Sequence, residues 1–127
     1  MRSTLIALLV VVALAAGVCA CARAHVLRST GELEKMRAAA AERLRVDDAR
    51  GALQAIAALE RRWAEAAPSL EIFASHDALH EVACELSDAR ACLEAGDVDD
   101  CLRSLVQLGG SLEHIRAAEE ISLANLC

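Results

Sequence analysis

Aromatic residues are almost missing from this sequence: Trp63 and Phe73 stand alone, there is no tyrosine, and Pro68 is the only proline. No window alternates apolar and polar residues between Gly and Pro clusters, so the pattern of a strand-built domain is missing as well. Positive charge is not in surplus. Lys and Arg number 13 against 19 Asp and Glu, for a net charge of -6. With neither a basic stripe nor an exposed aromatic platform, nucleic acid is not an expected partner. There is no Gly-rich phosphate loop and no Ser/His/Asp order in a strand-turn-helix context. The acidic pairs fall at helix starts, where capping accounts for them. The expectation is no catalysis, no cofactor and no small-molecule substrate.

What is present is a chain of 127 residues rich in Ala and Leu, a composition that favours helix. Its length leaves room for one domain. The expected fold is all-α, with a thin core, because Ala contributes little area at roughly 25 cal/mol per Å² buried. The longest uniform stretch is Leu5 to Ala22, eighteen residues without a charge, an amide or a hydroxyl, preceded by Met1, Arg2, Ser3 and Thr4.

Three readings of that stretch compete. A spanning helix needs about 20 apolar residues and tolerates somewhat fewer. A cleaved signal peptide needs a basic front, a shorter apolar middle and a small-x-small exit, which Ala20-Cys21-Ala22 offers. Lipidation at Cys21 is the third, with Val18-Cys19-Ala20 as an imperfect lead-in. The retained anchor is the expectation, with residues 1–22 in the membrane and 23–127 forming a helical extramembrane domain. Two arguments about orientation disagree. Arg2 and the amino terminus on one side, against Arg23, Arg28, Lys35 and Arg37 on the other, favour a cytoplasmic domain by the positive-inside rule. A tail of four residues before a signal-like segment favours the opposite, since long domains are translocated largely regardless of charge. The expectation is a single pass through the cell membrane with the C-terminal domain outside the cytoplasm.

Beyond Ala24 the helical pattern continues without a clear stop. Val26, Thr30, Leu33, Met36 or Arg37, Ala40 and Leu44 share one stripe, and only Gly31 weakens it. The anchor is therefore expected to run directly into the first domain helix, to about Val46. Asp47 and Asp48 suit an N-cap, and Ala49, Ala52, Leu53, Ile56, Leu59 and Trp63 recur at helical spacing behind them. Pro68 is expected to end or kink this helix, and Ser69 to cap the next, on the stripe Ile72, Leu79, Ala83, Leu86 and Leu93. Gly96-Asp97 marks a tight helical hairpin. The last helix carries Val98, Cys101, Leu102, Leu105, Leu108, Leu112 and Ile115 on one face. Gly109-Gly110 inside it costs about 1 kcal/mol per glycine relative to Ala, which calls for a close helix approach or a bend. Val46-Asp47-Asp48 with Leu53 and Ile56 is echoed by Val98-Asp99-Asp100 with Leu105 and Leu108, as two similar helix starts rather than a repeat. The whole reads as an antiparallel bundle of three or four helices behind the anchor.

The order of features carries a resemblance: apolar leader, acidic turn, amphipathic helix ending in Trp63, then Phe73-Ala74-Ser75-His76. Ser111-Leu112-Glu113-His114-Ile115 and Leu123-Ala124-Asn125-Leu126 close it. In this the chain resembles a small bacterial family catalogued as domain of unknown function 4363, over nearly its whole length. The resemblance implies a single-pass, membrane-anchored helical protein with no assigned activity, and it brings no catalytic residues. The six cysteines and Gly109-Gly110 depart from the family pattern, so any cysteine chemistry is particular to this chain.

Two constellations are candidates for chemistry. His76, His80 and Cys84 are spaced by four along one side of a helix, and two histidines at that spacing can share a metal. Against this, His76 sits beside the apolar stripe while His80 and Cys84 drift off it, and no CxxC supplies further ligands. Cys92 and Cys101 lie almost equidistant from the Gly96-Asp97 turn, and a disulfide there would contribute roughly 2 to 3 kcal/mol. Cys101 falls on the apolar face and Cys92 away from it, so the bridge needs some twist. Cys84 and Cys127 have no evident mates. Glu113-His114 reads as a solvated acid and imidazole on an exposed last turn, where the helix dipole favours His114. The function expected is a membrane-anchored interaction or structural protein, with another membrane protein or a second copy as partner. The alternative is a metal- or thiol-handling envelope protein using His76, His80, Cys84 and Cys92/Cys101.

Overall fold

A computed structural model of the chain describes the backbone of residues 1–126 and the side chains of residues 1–120. It contains four helices and, among the described residues, no strand: α1 Arg2–Arg45, α2 Ala49–Leu70, α3 His76–Glu94 and α4 Val98–Leu126. Cys127 lies outside the described residues, as do the side chains of Leu123, Asn125 and Leu126.

The apolar run and the first domain helix are one element. α1 extends unbroken for 44 residues, about 66 Å at 1.5 Å per residue. From Val26 onward it buries Ser29, Thr30, Leu33, Ala40, Ala41 and Leu44, the three- and four-residue spacing the sequence carries. Thr30 Oγ1 donates to the Val26 carbonyl at 2.7 Å, which satisfies a hydroxyl that would otherwise be stranded in the core. α1 packs against α2 and α4, and α3 against α2 and α4, so the helices close an antiparallel ring around one core. Ile56, Leu59 and Leu70 of α2, Val82 of α3, and Cys101, Leu105 and Leu108 of α4 are at most 1% exposed. Trp63 packs with them at 8%. Ion pairs tie the outer faces, Arg62 to Glu32 at 2.8 Å and Arg90 to Glu60 at 3.1 Å, and their exposure to solvent keeps their contribution small.

Two of the three connections are the same device. After α1, the amide of Asp48 donates to the Arg43 carbonyl at 2.8 Å, and that of Asp47 to Leu44 at 3.2 Å. After α3, Asp97 donates to Cys92 at 2.8 Å and Gly96 to Leu93 at 3.0 Å. In each, the residue before the aspartate is left-handed, Asp47 at φ 61° and Gly96 at φ 81°, as a Schellman closure requires. The aspartate then turns to the following helix: Asp48 accepts from Gly51 N at 2.9 Å and Asp97 from Asp100 N at 3.1 Å. Asp48 and Asp97 are thus the equivalent positions, and the echo between Asp47-Asp48 and Asp99-Asp100 is out of register. Asp99 and Asp100 lie inside the first turn of α4.

The second connection differs from expectation. Pro68 does not end α2, which continues to Leu70 because Ala66 and Leu70 are buried on the core face. Ser69 is not a cap: its hydroxyl donates to the Ala66 carbonyl at 2.9 Å. The cap of α3 is Ser75, whose Oγ accepts from Ala78 N at 3.2 Å. Ile72, assigned by its spacing to the α3 stripe, lies instead in the turn at 76% exposure, and Val82 rather than Ala83 takes the core position.

Candidate functional site

The positions with chemical capacity fall into four groups: the apolar sleeve of α1, the end of the bundle next to it, the polar face of α3, and the α3–α4 turn. The exposure of the sleeve is anomalous. Leu5, Ile6, Leu8 to Val12, Leu14 and Val18 are each between 52% and 69% exposed, around the full circumference. A helix apolar on every side has no protein face to turn outward, and its expected surroundings are hydrocarbon. By length and composition this one helix can cross a membrane.

Immediately beyond the sleeve, the bundle begins with a polar clasp. His25 Nε2 lies 2.8 Å from Ser69 Oγ. The single hydroxyl proton of Ser69 goes to Ala66, so His25 Nε2 carries the proton and donates to Ser69. The His25 and Phe73 rings are 6.4 Å apart, tilted by 58°. On the opposite side Arg23 pairs with Glu120 of α4 at 3.9 Å. The α2–α3 turn and the last part of α4 therefore stand level with Arg23 to His25. Sequence reasoning missed this clasp; an imidazole three residues past an apolar run is its only local signal.

On α3 the structure brings together only part of the proposed set. His80 Nε2 and Cys84 Sγ are 3.4 Å apart at the surface. His76 is exposed at the first position of the helix. Among the described residues no group of three or more His, Cys, Asp or Glu side chains gathers around a common point, His76, His80 and Cys84 included. Helical spacing puts them on one side, but among the described residues no further His, Cys, Asp or Glu joins them to complete a shell.

The Cys92–Cys101 disulfide is not present. Both are free thiols. Cys101 is fully buried on the core face of α4, whereas Cys92 sits half-buried at the rim of α3, so similar distances from the turn do not bring their sulfurs to bonding distance. Burial, and secondarily the neighbouring Cys92, pushes the Cys101 thiol up to about 11. Cys92 is also raised, by its partial burial and then by the carboxylates of Asp100, Asp97 and Asp88. Both are protonated and weakly nucleophilic at neutral pH.

One polar contact in the α3–α4 seam was not legible in advance. Ser111 Oγ donates to Glu85 Oε1 at 2.9 Å, while Glu85 Oε2 is buried without a partner. Burial raises the Glu85 pKa, Glu81 and Asp88 add to the rise, and the Ser111 hydroxyl opposes it. The surrounding depression, lined by Glu81, Gln107, Gly110 and His114, is open to solvent, so it does not desolvate a ligand. His114 lies mid-helix rather than in a last turn, which removes its dipole argument. Gly109 has a packing reason: a Cβ there would stand 2.9 Å from Arg37 Nε, and Arg37 Nη1 donates to the Leu105 carbonyl at 3.4 Å. The close approach is therefore realised at Gly109 alone. Gly110 has open space, and nothing in the structure explains it.

Compared with known proteins, residues 21–126 match the family described as "Domain of unknown function (DUF4363)". No curated protein and no solved structure matches the chain.

Proposed function

The chain belongs to the DUF4363 family, and from that premise we propose that it is a single-pass, membrane-anchored interaction or structural protein that performs no catalysis. The observation that carries this reading is the change of exposure along α1. Its apolar residues are open on all sides up to Val18, and from Val26 they turn one stripe into a protein core. A water-exposed sleeve of that size is far beyond the few hundred Å² of apolar patch that soluble monomers tolerate. The domain is extracytoplasmic in this reading, since long domains are translocated largely regardless of flanking charge. Its partner is another membrane protein or a second copy of the chain.

The test is fractionation followed by shaving. The chain should stay with membranes through alkaline carbonate extraction, and protease added to intact cells should digest the domain. Release by carbonate would remove the anchor, whereas an untouched domain would reverse the orientation and leave the anchor standing. Crosslinking in intact membranes, followed by identification of the adduct, distinguishes the two partners; a lone monomer would count against the interaction role.

A further inference from the structure

Apart from the sleeve and the terminal Met1, the most exposed large apolar side chain among the described residues is Ile72, at 76%, and its neighbour Phe73 is 38% exposed. They stand at the tip of the α2–α3 turn. Phe73, the only phenylalanine in the chain, leans its ring towards His25 but keeps an open edge, and Ile72 is too exposed to have a packing role.

The position of this tip along α1 is fixed by the His25 clasp. His25 reaches Ser69 at 2.8 Å, and its ring is 6.4 Å from that of Phe73. His25 follows the last residue of the apolar run, Ala22, by three residues, about 4.5 Å along a helix axis. The polar layer on each side of a bilayer's hydrocarbon is about 5 to 7 Å deep. If Leu5 to Ala22 fills the hydrocarbon, Ile72 and Phe73 fall in the adjoining interface, where side chains with apolar bodies settle.

We propose that the α2–α3 turn is a second membrane contact, with Ile72 and Phe73 seated at the headgroup–acyl boundary of the bilayer that α1 crosses. This rests on the anchor reading. The flanking residues set its depth: Glu71 and Asp77 are exposed on either side of the pair, and their carboxylates stay in the hydrated layer while the two apolar side chains reach past it. These acidic neighbours also define the lipid, a zwitterionic surface rather than an anionic one, since like charge would oppose contact. The domain is then held at two points, α1 and the turn, which removes its freedom to rotate about the α1 axis.

The lone phenylalanine supplies the test. The full chain is produced with fluorine-labelled phenylalanine, so that only position 73 reports, and is reconstituted into phosphatidylcholine bicelles. Fluorine linewidths are compared with a nitroxide on the upper acyl chain and with a water-soluble gadolinium chelate; flotation of the same chain with phosphatidylcholine vesicles reports the anchor separately. The expected result is co-flotation, several-fold stronger broadening by the lipid nitroxide than by the chelate, and loss of that preference in Ile72→Glu. Co-flotation with broadening mainly by the chelate overturns the turn contact and leaves the anchor intact. A fluorine shielded from both agents overturns it too, by showing that a protein surface covers the turn. A chain that fails to float overturns both readings.

Discussion

Residues 2–22 and 23–45 of α1 share one hydrogen-bonded backbone, and helix propensity does little to distinguish them, both being rich in Ala and Leu. The first half spreads its apolar side chains over the whole circumference and buries almost none; the second gathers them on one stripe and buries it. The first half also begins with no side-chain cap at Met1, whereas the second closes on the Asp47-Asp48 turn with a cap for the next helix. Helix formation is thus common to both, and the angular distribution of apolar residues separates them: one half is apolar all round and long enough to cross a membrane, and the other packs against α2 and α4.

The largest separation of the two halves should come from Leu9→Arg with Val12→Arg. At roughly 3 kcal/mol per charge near a bilayer centre, the pair should move the chain from the membrane to the soluble fraction. Thermal unfolding of the domain, followed by circular dichroism, should be unchanged; a lower melting temperature would mean that the halves are energetically coupled. Leu33→Ala is the converse. It empties a core position that is 1% exposed and should cost about 3 kcal/mol of domain stability, read by denaturant titration, with membrane partition as before.

Smaller effects sharpen the boundary. Asp48→Ala removes the cap on Gly51 N and should cost about 1 kcal/mol. Gly17 and Gly31 sit in different halves of the same helix, and a Cβ at either meets nothing within 4 Å. Gly31→Ala should raise domain stability by about 0.5 to 1 kcal/mol, while Gly17→Ala should leave domain unfolding where it is.

The smallest expected effect separates the halves by pH. Leu5 to Val18 contains no titratable side chain, so membrane association should not vary between mildly acidic and neutral pH. Glu85 in the domain does respond. Its folded-state pKa is raised, chiefly by burial, so the unfolded chain releases that proton first as pH rises. The cost to folding is absent below the ordinary carboxylate range and complete above the folded pKa. Glu85→Gln should therefore stabilise the domain at neutral pH, by less than about 1 kcal/mol after solvent screening, and make no difference in acid. An equal gain at both pH values would trace the effect to something other than ionisation.

Most of this boundary can be read from the sequence, because it depends on the angular spacing of apolar residues. The stripe Val26, Thr30, Leu33, Ala40 and Leu44 continues through Gly31, and α1 follows it. The Gly96-Asp97 turn is legible for a similar reason, since glycine advertises a left-handed residue. Asp47 adopts the same conformation without being glycine, so the equivalence of the two turns stays hidden until their hydrogen bonds are seen. Pro68 and Ser69 carry local stop and cap signals that buried Ala66 and Leu70 override. Ser75, the true cap, had a weak signal in Asp77 two residues later. Candidate sites are less legible than helices. Spacing along one helix places His80 beside Cys84, but whether Cys92 meets Cys101, or whether His25 meets Ser69, depends on how two helices are rotated against each other. No local pattern records that rotation.

The unbroken passage of α1 from apolar sleeve to domain has a mechanical meaning. A flexible tether would let the domain drift over a hemisphere, whereas a rod transmits angle. Arg45 lies about 34 Å beyond Ala22 along the axis. In a bilayer, a tilt of the average 20° would swing the Asp47-Asp48 end sideways by about 12 Å. Bilayer thickness, by setting the tilt, would then decide where over the membrane the far end of this domain points.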